Sequence, residues 1–358
     1  MTAKSVPASA ASLEYPFPTR PERGEMLQVA PGVHWVRMAI PIPGLEFINL
    51  WAIEDGEGWT IVDTGLRSAE IRNTWERIFG ELFGGKPVTR IICTHFHPDH
   101  LGQAGWLTER WKIDLWMTLG EWTFGRMLAL EASETVPEEA VDFYRRHGID
   151  EIALDGYKQH GFNNFAKGVT TIPRTFRRIS DDDVLEIGGQ HWRVIIGRGH
   201  SPEHACLHCP ALGVLISGDQ ILPRITPHIG VYPGEPLANP LKQYLESLPL
   251  FRPLPADTLV LPAHGDPFRG LHQRLDQLSH HHDARLLALD AACAEPATAL
   301  DLVPVLFRRK LEREHVFMAL SETLAHLHLL VGDGRLESER EAGGLVRFRR
   351  NRKADAAA

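Results

Sequence analysis

Cysteine is scarce. The four in 358 residues, Cys93, Cys206, Cys209 and Cys293, are too few and too scattered for a disulfide framework. A reducing compartment suits such a chain, and the cytoplasm is the expected location. No run of about 18 apolar residues occurs, so no membrane-crossing helix and no membrane partner are expected. An excess of positive charge is missing too: 38 Lys and Arg face 46 Asp and Glu, for a net charge of -8. That balance argues against a protein built to coat nucleic acid or anionic lipid. Met1 to Glu25 lacks an apolar stretch after basic residues, so it reads as a loose N-terminal leader rather than a secretory signal.

What the chain has in quantity is histidine, 19 copies against 5 tyrosines. Imidazole is the commonest metal ligand among side chains, which turns attention to where the histidines cluster.

From Leu27 to Asp63, short apolar runs (Val33 to Met38, Phe47 to Ile53, Trp59 to Val62) separated by turns predict consecutive strands. Arg67 to Phe83 carries Ile71, Trp75, Ile78, Phe79 and Leu82 at helical spacing, and Val88 to Cys93 is a compact buried-strand run. Helical patterns then fill most of Leu101 to Phe165, with an inserted helical segment over about 120–180. Strands resume over Val184 to Ile196, Ala205 to Ser217 and Thr258 to Leu261. Two similar halves of this kind predict an α/β (α+β) four-layer arrangement, two sheets packed together with helices outside.

After Gly270 the texture changes. Leu271, Leu275, Leu278, His282, Leu286 and Leu289 form a helical stripe, Pro296 to Phe307 and His315 to Leu330 follow as helices, and Leu336, Leu345, Val346 and Phe348 suggest a two-stranded wing. The expected organisation is a leader over 1–25, a catalytic domain over 26–269 and a small helical, winged-helix-like domain over 270–358.

The segment Thr94-His95-Phe96-His97-Pro98-Asp99-His100 places three histidines and an aspartate directly after a buried strand. A loop at a strand's C-terminal edge can aim all four inward. These are the nitrogen and oxygen donors that zinc and similar ions accept at about 2.0 to 2.2 Å. Packing them together without a cation is costly, because partly buried charges and lone pairs need compensation. His95 and His97 share a direction on extended backbone, while Asp99 and His100 can turn to a neighbouring point, so one loop can serve two ions.

This pattern resembles the metallo-β-lactamase superfamily, whose signature is His-x-His-x-Asp-His, and the similarity runs from roughly Leu27 to Arg269. Asp63 in Ile61-Val62-Asp63-Thr64-Gly65 matches the first motif. His200 in Gly199-His200-Ser201, Asp219 in Ser217-Gly218-Asp219 and His264 in Pro262-Ala263-His264-Gly265 match the third, fourth and fifth. The resemblance implies two divalent ions, zinc foremost with iron or manganese as alternatives. One would be held by His95, His97 and His200, the other by Asp99, His100 and His264. Asp219 would bridge them, and Asp63 would orient a ligand imidazole. It further implies hydrolysis by a metal-bridging hydroxide, with Asp99 able to accept a proton.

The tail after His264 looks like that of the subgroup containing β-lactamase-like protein 2 and glyoxalase-II-like bacterial proteins. A small-molecule thioester or related carboxylic ester is therefore the expected substrate. The alternatives are a single-strand endoribonuclease or phosphodiesterase, suggested by Arg308, Arg309, Lys310, Arg313, Arg347, Arg349, Arg350, Arg352 and Lys353, and a lactonase or hydrolytic dehalogenase. A non-catalytic scaffold is disfavoured because no ligand position is missing. A homodimer is a family-level expectation.

Three other features invite lesser readings. Cys206-Leu207-His208-Cys209 has no second cysteine pair and reads as core packing. His280-His281-His282 diverge by about 100° per residue on a helix and read as a solvated face. Glu203, His204 and His228 sit near presumed ligands without established reach. Among the aromatics around the insert, Trp106, Trp111, Trp116, Trp122, Phe124, Tyr144, Tyr157, Phe162 and Phe165, most read as core, and some as an apolar lid over substrate.

Overall fold

The computed structural model describes residues 12–41, 45–162, 164–308 and 311–351. The leader's first eleven residues, Arg309, Lys310, Arg352 and Lys353 lie outside this set, as does the side chain of Arg313.

Along the first half run β1 (Met26–Ala30), β2 (Val33–Ala39), β3 (Phe47–Asp55), β4 (Gly58–Val62), α1 (Ala69–Arg77), β5 (Val88–Ile92), α2 (Pro98–Leu101), α3 (Ala104–Trp111) and β6 (Leu115–Met117). The insert supplies α4 (Leu119–Leu130), α5 (Glu138–Arg146), α6 (Glu151–Gln159) and α7 (Phe165–Gly168) before β7 (Arg177–Arg178). The second half holds β8 (Val184–Ile187), β9 (Gln190–Gly197), β10 (His204–Cys209), β11 (Val214–Gly218), α8 (Pro240–Ser247) and β12 (Leu259–Pro262). Beyond it lie α9 (Leu271–Ala292), β13 (Ala297–Thr298), α10 (Ala299–Leu306), α11 (Arg313–Gly332), β14 (Leu336–Arg340) and β15 (Val346–Arg350).

Strands β1 to β7 form one sheet in sequence order, and β12-β11-β10-β9-β8 form the other. Side chains on a strand alternate between faces, and here each alternation divides two cores. In β3, Trp51 and Ile53 join Trp192, Val194 and Ile196 of β9 in the core between the sheets. Ile48, Leu50 and Ala52 face the other way, under Trp75 and Leu107 of α1 and α3. In the second sheet, Cys206, Leu215 and Val260 turn outward to a third core shared with α8, α9 and α11. This is the anticipated layering of helices, sheet, sheet, helices. Strands β6 and β7 were not anticipated: at three and two residues they are too short for a visible period.

In place of the two C-terminal strands expected there is a three-stranded sheet, since β13 pairs with β15, which pairs with β14. Residues 12–25 correct the expectation of a loose leader. Glu14 exchanges both backbone hydrogen bonds with Arg269, and Arg20 forms a two-pronged ion pair with Asp266 at 2.5 and 2.7 Å. The insert divides its contacts. Tyr144 of α5 and Tyr157 of α6 pack on Phe317 of α11, at 4.8 and 5.3 Å between ring centres, so this half braces the C-terminal helices.

Helix α9 begins at Gly270 with no side-chain cap, so its apolar stripe must anchor it. Leu271, Leu275, Leu278 and Leu289 are fully buried, and each contributes about 1.5–3 kcal/mol on leaving water. His282 belongs to that stripe. The solvated-face reading holds for exposed His280 and fails for His282, which is buried with its Nδ1 3.1 Å from Nε2 of His326 on α11. Burial, followed by mutual repulsion, pushes His282 down to about 3, and burial pushes His326 down to about 4.

Both imidazoles are therefore neutral in the folded chain and take up protons near pH 6.5 once unfolded. The stability they contribute is complete above about pH 6.5 and declines as pH falls toward 4 and 3. Urea midpoints measured from pH 7 to pH 4 should fall, and His282→Leu should flatten that slope. An equal slope in the variant would contradict the assignment.

Candidate metal centre

Every candidate site residue lies beyond the C-terminal end of a strand. Asp63 follows β4, His95 to His100 follow β5, His200 follows β9, Asp219 follows β11 and His264 follows β12. The two sheets are stitched at this edge. Ala205 N–H donates to Thr94 O at 2.9 Å, and Asn49 N–H to Ala263 O at 2.7 Å. The Asn49 amide adds bonds to Pro262 O (2.9 Å) and Gly265 O (2.7 Å), while Trp35 Nε1 holds its carbonyl at 2.8 Å. Strands from separate sheets thereby end side by side.

The candidate ligand atoms gather as two groups, His95, His97, His200 and Asp219 in one and Asp99, His100 and His264 in the other, each within 4.8 Å. In the first, His95 Nε2 lies 2.9 Å from His97 Nδ1 and 3.2 Å from His200 Nε2. Asp219 Oδ2 is 3.4 Å from His200 Nε2. In the second, Asp99 Oδ2 is 3.3 Å from His264 Nε2 and 3.8 Å from His100 Nε2. Asp219 turns its other oxygen there, with Oδ1 at 3.6 Å from both imidazoles. Donors about 2.0–2.2 Å from a tetrahedral ion stand roughly 3.3 Å apart, so both groups have the right spacing.

Charge points the same way. Burial, reinforced by the neighbouring imidazoles, pushes His95 far down, and burial takes His97 to about 3, which makes both neutral donors. Burial alone would raise Asp99 and Asp219, yet the facing histidines hold Asp99 at about 2 and Asp219 well below the carboxylate range. Burial likewise opposes charge on His100 and His264, but the surrounding carboxylates outweigh it and raise both. The locus thus calls for positive charge. His100 Nε2 and Asp219 Oδ1, both buried, make no hydrogen bond. Neutral imidazoles on His95 and His97, ionised carboxylates on Asp99 and Asp219, and buried ligand atoms without a hydrogen bond suit the site to divalent cations.

Asp63 sits behind this cluster with φ of 63°, a left-handed conformation that Asp tolerates better than most residues. Its carboxylate accepts from Thr94 N–H at 2.8 Å and from the Thr94 hydroxyl, and lies 2.8 Å from His100 Nδ1. It therefore orients His100 and pins the start of the loop that carries His95 to His100.

Glu121 escaped the sequence reading, while Glu203 and His204, noted there only for their nearness to presumed ligands, gain definite partners. Glu121 of α4 is fully buried, and its two oxygens accept Phe96 N–H (3.0 Å) and Glu203 N–H (2.6 Å). One carboxylate thus ties the loop of His95 and His97 to the loop of His200. Burial lifts it to about 7 despite those bonds. Glu203 reciprocates by accepting Gly120 N–H at 2.7 Å. Buried His204 stacks on His95 at 4.7 Å and accepts Asp219 N–H on Nε2 at 3.0 Å, so it holds Asp219 in place. A lone Glu in a helical insert carries no local mark of such a role. The Cys206 and Cys209 thiols are buried and unpaired in β10, as core packing requires.

Comparison with known proteins agrees with this geometry. Residues 43–264 match the Metallo-beta-lactamase superfamily model, and residues 286–351 match a model described as Metallo-beta-lactamase-like, C-terminal domain. The chain belongs to the metallo-β-lactamase superfamily. It is a metal-dependent hydrolase of that fold, with a C-terminal helical domain. Among solved structures, it resembles a beta-lactamase domain protein from Burkholderia ambifaria at 46% identity and a TM-score of 0.88, over 94% of this chain and 98% of that one. A metallo-beta-lactamase family protein from Thermus thermophilus matches at 29% identity and a TM-score of 0.73, over 90% of this chain and 100% of that one. Curated relatives include an uncharacterized protein of Aquifex aeolicus, 26% identical over 50% of this chain and 69% of that protein. A linear primary-alkylsulfatase of a Pseudomonas strain is 25% identical over 64% of this chain, and the match takes in 45% of that enzyme.

Glu121→Leu should leave the buried Phe96 amide and the part-buried Glu203 amide without acceptors. At about 1–3 kcal/mol each, the loss should be about 2–6 kcal/mol, read from chemical denaturation of the purified protein. A loss under about 1 kcal/mol, the low end for a single orphaned amide, would show that the carboxylate is not the tie described.

Proposed function

We propose that the chain hydrolyses a thioester or related carboxylic ester at a centre of two divalent cations, zinc being the best fit to its nitrogen and carboxylate donors. The observation that carries the reading is the Asp219 carboxylate, one oxygen toward each histidine group. His95, His97 and His200 would hold one ion, and Asp99, His100 and His264 the other. Bound there, the pair would activate water and polarise the scissile carbonyl.

The chain's own residues do the rest. Asp99, ionised at neutral pH, accepts the proton given up by the attacking water. Asp63 fixes the His100 ring, while His204 and Glu121 hold Asp219 and the two histidine loops. Beside His97 the wall is aromatic. Phe96 packs on His97 at 4.5 Å between ring centres, and Phe124 and Phe165 pack on Phe96 at 4.9 and 5.9 Å, an apolar flank suited to an acyl group. The tail is in keeping with the β-lactamase-like protein 2 and glyoxalase-II-like subgroup. The four unpaired thiols accord with a cytoplasmic setting.

The nuclease alternative is weakened at three of the nine basic residues that suggest it. Arg347 pairs with Glu341 and reaches Asp301, Arg349 pairs with Glu337 and Glu339, and Arg350 pairs with Asp290. Acid beside these three side chains offsets part of the positive charge that phosphate contacts would need.

Purified protein should hold two equivalents of metal and lose activity to a chelator. It should turn over acyl thioesters faster than lactones, haloaromatics, alkyl sulfates or single-stranded RNA. Loss of a ligand in His97→Ala should lower the rate by about a hundredfold or more. Preferential cleavage of RNA or of a sulfate ester would overturn the substrate assignment, and full activity after chelation would overturn the metal centre.

A further inference from the structure

Between β11 and α8, residues 219–239 run without helix or strand, and this loop reaches the metal centre at one point beyond Asp219 itself: His200 Nδ1 is 2.8 Å from the backbone carbonyl of His228. A ligating imidazole usually donates its second nitrogen to such an acceptor, which sets both tautomer and ring orientation. His200 aims its Nε2 at the first histidine group, so the position of the His228 carbonyl governs where that donor sits.

The C-terminal helices hold this carbonyl in place. Arg274 of α9 donates to Leu222 O and, at 2.7 Å, to Ile225 O. Val231 N–H donates to Ser321 O of α11 at 3.0 Å, and His328 Nδ1 lies 2.8 Å from Ala238 O. The His228 side chain is held most closely. Glu322 of α11 lies 3.5 Å from its Nδ1, while the Tyr232 hydroxyl (2.7 Å) and Ser321 Oγ (3.4 Å) meet its Nε2. Arg285 of α9 fixes the far oxygen of Glu322 at 2.5 Å. Gly230 permits the closeness, since a Cβ there would stand 2.7 Å from Ser321 Oγ and 2.8 Å from His228 Nε2.

The Glu322 side chain is nearly buried, and burial alone would raise its pKa. The contacts with His228 and Arg285 instead hold it at about 2. A buried carboxylate is costly unless paired, so the two helices and the loop are mutually committed.

We infer that the C-terminal helical domain is a positioning device for the metal centre: Glu322 and Ser321 grip the His228 side chain, and the His228 carbonyl aims the His200 imidazole. Glu322 and His228 are thus positioning residues rather than groups that touch substrate. The inference rests on the proposed two-ion centre.

The test is a zinc titration of the full-length, chelator-stripped protein against a competing chromophoric chelator, paired with thermal unfolding. Glu322→Gln should keep one equivalent at wild-type affinity and weaken the other about 10–100-fold, the range for removing a ligand's hydrogen-bond support. The weakened equivalent should be the one that His200→Ala loses. His228→Ala retains the carbonyl but cuts its tether, and should do the same should Glu322→Gln fold poorly. Asp290→Asn, which loosens Arg335 and Arg350 elsewhere in the same domain, should lower the unfolding temperature and leave both affinities alone. Wild-type affinities in both Glu322→Gln and His228→Ala would overturn the inference, as would an equal loss in Asp290→Asn. A wild-type protein that binds no zinc would overturn the two-ion centre and this inference with it.

Discussion

The carboxylate of Asp219 faces two ways, and the site is organised around that fact. One oxygen belongs with His95, His97 and His200, the other with Asp99, His100 and His264. A carboxylate so enclosed is tolerable only where positive charge meets both of its oxygens. The raised pKa values of His100 and His264 register the same demand from the opposite side. The cluster is thus poorly satisfied by protein groups alone, and that imbalance is what suits it to cations.

Holding so much like-natured chemistry together falls to the scaffold. The candidate ligands all lie beyond strand ends, Asp219 immediately after β11 and His264 shortly after β12. Their convergence depends on the two sheets keeping a common edge. Asn49 spans that edge from a strand interior, and Glu121 joins two ligand loops from a helix in the insert. Buried backbone amides without partners are costly, so such bonds restrict the loops to one arrangement. Preorganisation of this sort reduces the rearrangement that cation binding would otherwise require.

The C-terminal helices enter the same logic from behind. Their apolar stripe joins the outer core of the second sheet, which binds them to the catalytic layers by burial. Their polar residues then reach the loop at His228, one hydrogen bond from a candidate ligand. Packing decides where the helices sit, and polar contacts transmit that placement to the site. The insert contributes to both ends, with Glu121 at the ligand loops and Tyr144 and Tyr157 against Phe317.

Much of this was legible from residue order. Alternating apolar residues mark the longer strands because neighbouring side chains face opposite ways. The histidine and aspartate cluster after β5 declares its chemistry because its ligands are close in sequence and of one kind. The two very short strands, the docked residues 12–25 and the burial of His282 were not legible, since each is determined by partners far along the chain. The same holds for Asn49, Glu121, the bond from the Asp219 amide to His204 and the grip of Glu322 on His228. A sequence by itself determines what a residue can donate, accept or bury, and this one specified a strand-end cage of imidazoles and carboxylates. Which distant groups meet, and hence which hold the cage in shape, was decided only by tertiary packing, because a hydrogen bond needs two partners and local sequence displays one.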